Sequence, residues 1–152
     1  MKIAIIGEIH PEGWETLEKS NFNAFEIVNI EENNLKKELV DVDGIIIRAA
    51  PNLTSDILKD CKKIKIIARH GVGYDNINLE YLNQNNIALG ITGTSNAVSV
   101  AEHVLASFLY LTKNINLSDE LTRKGDFKNK SSLPDFFELY KKNVVIFGFG
   151  RI

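Results

Sequence analysis

Several features that would decide a protein's class are scarce in this chain. One cysteine, Cys61, stands among 152 residues, so no internal disulfide can form. No second Cys or His lies at zinc-ligand spacing from it, so no metal site is assigned and a reducing cytoplasm is the expected compartment. Charge of one sign is also missing: 18 Lys and Arg face 20 Asp and Glu, a formal charge of −2, which advertises no polyanionic partner. The lysines at 59, 62, 63 and 65 lack aromatic interleaving and read as a solvated edge, so no nucleic acid is expected. Long apolar runs are absent as well. The run at residues 3–7 has neither the length nor the cleavage site of a signal peptide. The apolar region at 97–111 contains Glu102 and His103 and is too short to span a bilayer. No membrane segment, internal repeat or low-complexity tract is expected.

What remains is the composition of a folded globular chain, 44% hydrophobic and 25% charged. The length suits one ordinary domain, or one domain with part of another.

Short runs rich in Ile and Val recur at 3–6, 26–29, 45–47, 64–68, 87–91 and 144–147, with little alternation, as expected of parallel strands covered on both faces. Helical stretches separate them. Pro11 with acids in the following turn marks one start, and Leu35 and Leu39 form an i,i+4 pair in another. Thr54 and Asn78 read as N-caps of two short helices. This strand-helix alternation predicts an open α/β sheet through about residue 95. A longer helix follows from 99 to 114, opened by a Ser99-x-x-Glu102 capping box. Residues 116–142 are polar and predict a short helix near 117–124 and then a surface loop.

The last stretch reads as a buried strand at 144–147 running into Gly148-x-Gly150. Such a turn after a strand can cradle the pyrophosphate of a dinucleotide, but two glycines also end many ordinary strands. A second glycine-rich segment, Arg69-His70-Gly71-Val72-Gly73, lies between a buried strand and a helix, where open α/β folds place ligands. Its backbone N–H groups suit an anion. The plainer alternative is a turn without a ligand.

Two segments together are specific. Arg69-x-Gly71-Val72-Gly73-x-Asp75-Asn76-Ile77 is followed by Gly93-x-Ser95-Asn96-x-x-Ser99-Val100-Ala101-Glu102-His103, and this pair resembles the D-isomer-specific 2-hydroxyacid dehydrogenases. The resemblance covers essentially the whole chain and is nearest to the phosphoglycerate-oxidising branch. It implies a flavodoxin-like parallel-sheet substrate domain over residues 1–95. The inter-domain helix and the beginning of a Rossmann-type NAD-binding domain would then occupy 96–152.

The resemblance also implies roles. Backbone at Val72 and Gly73 would hold the substrate carboxylate, Asn96 would sit near substrate and nicotinamide, and Val100 would lie along the cofactor face. Gly148, Gly150, Arg151 and Ile152 would belong to the NAD site, which is incomplete within these residues. Arg48 matches a position that faces substrate in the family, and a guanidinium there suits a carboxylate or phosphate. Each has a plain alternative: Arg48 as a solvated strand end, Asn96 as a helix cap. Glu102 is accounted for by the capping box, His103 by packing or an inter-subunit contact, His70 by the turn and Arg69 as a structural cation. The family's catalytic Arg, Glu and His fall in or after the nucleotide domain, so no catalytic residue is assigned.

The expected function is therefore NAD-dependent oxidation of a D-2-hydroxy acid, with a small 2-hydroxy or 2-keto acid as partner. The chain is expected to be a truncated form, inactive alone, whose helix at 99–114 and strand at 144–147 lose packing partners unless another chain supplies them. Related enzymes dimerise through the nucleotide domain, which makes a homodimer the family arrangement. The rival reading is a standalone flavodoxin-like module that binds a small acid or mediates dimerisation without catalysis.

Overall fold

The computed structural model describes residues 1–152. The chain divides into two compact units, Met1–Gly93 and Thr94–Ile152.

The first unit alternates strand and helix throughout: β1 (Lys2–Ile6), α1 (Pro11–Lys19), β2 (Asn23–Ile27), α2 (Glu32–Glu38), β3 (Gly44–Ile47), α3 (Ser55–Leu58), β4 (Ile66–Arg69), α4 (Leu79–Gln84) and β5 (Ala88–Ile91). All neighbouring strands pair in parallel, in the order β2-β1-β3-β4-β5. This is the flavodoxin-like order, in which the chain reverses its direction across the sheet between β1 and β3. The register places Ile6 beside Ile47 and Ile47 beside Arg69, so the loops after β1, β3 and β4 open on one edge.

One face of the sheet carries the core. Ala4, Ile6, Ile45, Ile47 and Ile67 are almost fully buried there with Leu35, Leu39, Leu53, Leu58 and Leu82. Each buried Ile or Leu contributes on the order of 1.5–3 kcal/mol by leaving water. The other face is less complete than uniform apolar strands predict: Ile46 and Ala68 are half-buried and Ile66 is exposed.

Local signals explain the helices. Thr54 accepts the Ile57 N–H at 3.4 Å and Asn78 accepts the Tyr81 N–H at 3.0 Å, each satisfying a donor the helix start leaves free. At α1 the cap is His10, whose Nδ1 accepts from Glu12 N, with Pro11 at the first helical position. Strand β2 lies earlier than the Ile and Val run predicts, because pairing Lys2 with Asn23 and Ile6 with Ile27 sets its limits. Likewise β4 begins at Ile66; Ile64 is buried in the turn before it.

The second unit holds α5 (Ala97–Thr112), α6 (Ile115–Arg123) and a 3-10 turn (Phe127–Ser132), the last in place of the expected loop. Helix α5 starts before Ser99. Ala97 N donates to Thr94 O and Val100 N to Asn96 O, so Ser99 lies inside the first turn and the expected capping box does not form. Asn96 is the residue at the cap position, but its side chain makes no capping bond. The end of α5 is tied back by Phe137 N to Thr112 O and by Asn114 Nδ2 to Pro134 O.

Residues 144–147 form no strand, contrary to expectation. Val145 is 88% exposed and Ile146 83%. An extended apolar segment becomes a strand only by pairing its backbone groups, and no other strand of this structure lies alongside it. No helix is long and apolar enough to cross a membrane.

Candidate functional site

In an open parallel sheet, ligands bind outside the carboxyl ends of the strands where the strand order reverses. Here that point lies between β1 and β3, so the loops that begin at Gly7 and Arg48 flank it. Two backbone bonds carry the ladder past the strand ends: Arg48 N donates to Ile6 O at 3.2 Å and His70 N to Ile47 O at 2.8 Å. They bring the start of each loop against its neighbour.

Arg48 is exposed, yet its side chain is directed. Its stem lies across Gly7, and Nη1 donates to Glu8 O at 3.2 Å. Gly7 adopts φ +94°, a conformation that a residue with Cβ rarely takes. A single bond to a carbonyl leaves most of the five guanidinium donors available, the inventory that two-point recognition of a carboxylate or phosphate requires.

The adjoining loop supplies backbone donors. Val72 and Gly73 are exposed, and no backbone carbonyl of the chain accepts their N–H groups. Gly71 is held by its own carbonyl, which accepts from Thr92 N at 3.1 Å. The Arg69 side chain folds over Gly71, and Nη1 donates to His70 O, while Nε is buried without a partner. Arg69 thus braces the turn through the carbonyl of His70. Asn76 closes the arrangement: Nδ2 donates to Arg48 O at 3.3 Å and to Pro51 O at 3.0 Å.

A cavity of about 350 Å³ opens beside α1, lined by Ile9, Leu17, Ile46 and Ala68 with His10, Arg69, His70 and Thr92 around them. Neither Arg48, Val72 nor Gly73 lines it. Its mainly apolar wall is the incompletely covered face of β3 and β4, not the edge that carries Arg48, Val72 and Gly73. No group of three His, Cys, Asp or Glu is placed to hold a metal ion.

The expected site residues are therefore divided. Arg48, Val72 and Gly73 share the carboxyl edge of the first unit, whereas Asn96, Val100, Gly148, Gly150, Arg151 and Ile152 belong to the second. Glu102 and His103 are exposed on α5. Since the capping box does not form, Glu102 loses that structural explanation; nothing in the structure gives it another role. Gly148 adopts φ +108°, and nothing lies within 4 Å of where a Cβ would sit on Gly148 or Gly150. Backbone there is open to close approach by a pyrophosphate, which fits a dinucleotide. Sequence reasoning passed over Gly7 and the side chain of Asn76. A lone glycine directly after a buried strand could have signalled the first; the second needs the loop partners to be known.

The comparisons agree with this architecture. The chain is 30% identical to D-3-phosphoglycerate dehydrogenase of Sus scrofa over 151 residues, 99% of this chain and 28% of that protein. It therefore spans less than a third of that relative's length. A crystal structure of NAD+-bound 3-phosphoglycerate dehydrogenase from Entamoeba histolytica matches with TM-score 0.64 and 30% identity, over 74% of this chain and 39% of that one. An NADPH-dependent glyoxylate/hydroxypyruvate reductase from Sinorhizobium meliloti shares the fold with TM-score 0.83 at 22% identity, over 99% of this chain and 46% of that one. Residues 3–148 match the D-isomer specific 2-hydroxyacid dehydrogenase catalytic domain, and the chain is a member of that family.

Proposed function

We propose that the protein is an NAD-dependent oxidoreductase acting on the CH–OH group of a D-2-hydroxy acid, of the phosphoglycerate dehydrogenase kind. The observation that carries this reading is the placement of Arg48 beside Gly7 at the reversal point of the sheet, next to the open N–H groups of Val72 and Gly73. A cation and a set of backbone donors on adjoining loops suit an acid with one or two anionic groups.

In this proposal residues 1–95 form the substrate domain, and 96–152 form the linking helix and the beginning of the NAD-binding domain. The N–H groups of Val72 and Gly73 hold the substrate carboxylate. Arg48 binds a second anionic group or the same carboxylate from the other side. Asn96 orients the substrate, and Val100 lines the cofactor face. Gly148 and Gly150 let backbone approach the pyrophosphate, with Arg151 and Ile152 continuing that turn. NAD, when bound, supplies the acceptor for the C2 hydride. Proton transfer is assigned to none of these residues, since neither His70 nor His103 has a structural partner that would orient it as a base. Turnover by these 152 residues alone is accordingly not expected. We place the protein in a reducing cytoplasm, which suits the free Cys61, and propose a homodimer joined through its second unit, where Val98, Leu105 and Leu111 are exposed on α5.

The test is turnover by the full-length protein of a panel containing 3-phosphohydroxypyruvate, hydroxypyruvate, glyoxylate and pyruvate, each with NADH and with NADPH. Highest kcat/KM on the phosphorylated acid with NADH supports the proposal in full. Preference for glyoxylate or for NADPH keeps the oxidoreductase and rejects the finer assignment. Inertness toward every acid, together with binding of one of them, favours a non-catalytic acid-binding module.

A further inference from the structure

We propose that Asn76 is a positioning residue for substrate binding, an amide clamp that locks the Arg48 loop to the Gly71–Gly73 loop; this rests on the substrate role proposed for Arg48. Asn76 is half-buried, and its Nδ2 reaches two carbonyls of the neighbouring loop, Arg48 O at 3.3 Å and Pro51 O at 3.0 Å. Its own carbonyl accepts Leu53 N at 2.8 Å. Leu53 and Ile77 then pair as an isolated parallel bridge, with Asn78 N donating to Leu53 O at 3.4 Å. One short segment is thus stapled to the other by main chain at 53 and by a side chain at 48 and 51.

The two staples have different consequences. The main-chain bridge fixes where the loops join the core, and any residue could supply it. The amide bonds act at the mouth of the site, on the carbonyl of the residue whose guanidinium faces the ligand. Recognition of an anion from two loops requires both sets of donors to be held within about 0.5 Å of the productive arrangement. A loop that must be ordered by the ligand spends part of the binding energy on that ordering. Asparagine suits the position because its NH2 offers two donors, one for each carbonyl. An aspartate of the same shape would turn an oxygen toward two carbonyl oxygens.

The experiment is a double-mutant cycle in the full-length enzyme with Asn76→Asp, Arg48→Ala and the pair. The clamp predicts that Asn76→Asp raises KM for the preferred 2-keto acid about tenfold, with kcat and the cofactor KM changed by less than about twofold. On the Arg48→Ala background the same change should lower kcat/KM by less than about twofold, because the residue being positioned is gone. A purely structural role would lower kcat/KM by the same factor on both backgrounds, and that result overturns the proposal, as does an unchanged KM. Should Asn76→Asp fail to fold, Asn76→Ser retains one donor on a shorter arm and must show the same coupling at smaller amplitude. Amide exchange gives a readout independent of turnover: Arg48, whose N–H donates to Ile6 O, should exchange faster in the variant while β1 is unaffected, and unchanged exchange overturns the clamp. A wild-type protein inactive on every acid sinks the proposed function, and the substrate role of the clamp with it. An active wild type with an indifferent Asn76 sinks the clamp alone.

Discussion

The side chain of Arg48 lies across the backbone of Gly7: a Cβ on Gly7 would meet the Arg48 Cβ at 3.3 Å and its Cγ at 3.4 Å. Strand β1 ends where this glycine turns, and strand β3 ends where the arginine begins, so the contact joins the two loops that flank the reversal point of the sheet. Gly7→Ala should therefore be felt twice. The positive φ costs about 1–3 kcal/mol with a side chain attached, and the new methyl displaces the arginine stem. Urea unfolding should show a lower midpoint with an unchanged slope, and the KM of the full-length protein for the acid should rise in parallel.

Arg48 itself makes one side-chain hydrogen bond, to Glu8 O, and is exposed, so its removal should scarcely affect stability. Arg48→Ala is expected to lower kcat/KM for the acid by about 2–3 kcal/mol equivalent, and Arg48→Lys should restore only part of it because one ammonium cannot make the two-point contact. Steady-state kinetics of the full-length protein with matched thermal melts would check this. A fall in kcat/KM accompanied by an equal loss of stability would contradict it.

Cys61 is 5% exposed, and burial pushes its thiol up to about 11. At pH 8 it is then a neutral thiol packed near Ile57 O, without the thiolate character that reactivity needs. A thiol reagent such as dithionitrobenzoate should leave the folded chain unmodified over hours at pH 8 and titrate one thiol per chain in denaturant. Rapid modification of the native protein would show the first unit to be more open than its packing indicates.

Asp56 receives Lys36 from α2 and Lys59 from the residue that follows α3, which together hold its carboxyl well below its ordinary value of 3.8. A carboxyl whose folded value is depressed stabilises the fold fully above the unfolded value, and that contribution disappears as pH falls below it. The melting temperature should thus decline as pH drops below about 3.8, and Asp56→Asn should flatten that decline while slightly lowering stability at neutral pH. Asp56 and Lys59 are about half exposed and Lys36 is 27% exposed, so added salt should shrink the difference between the two proteins. A wild-type and variant with parallel acid limbs would refute the assignment.

Much of the candidate site was visible in the order of residues. The apolar runs at 3–6, 45–47, 64–68 and 87–91 located four strands within a few positions, because buried parallel strands demand uninterrupted Ile and Val. Thr54 and Asn78 announced their helices, since a capping side chain acts on donors two or three residues away. The capping box at Ser99 misled for a related reason: the motif is local, but α5 already begins at Ala97, where the backbone of Thr94 and Asn96 accepts the first bonds. The glycines at 71 and 73 with Asp75-Asn76 carried the resemblance to a family, and the family match over residues 3–148 bears that resemblance out.

Local sequence determined the alternation of strand and helix, the caps and the identity of the glycine-rich loops, all of which depend on interactions a few residues long. Tertiary structure decided which strands became neighbours. Only the order β2-β1-β3-β4-β5 puts Arg48 against Gly7 and its carbonyl within reach of Asn76. It also decided the fate of residues 144–147, which have a strand's composition and no strand's structure. A strand is a relationship between two backbones, and its second member is not encoded in its own residues.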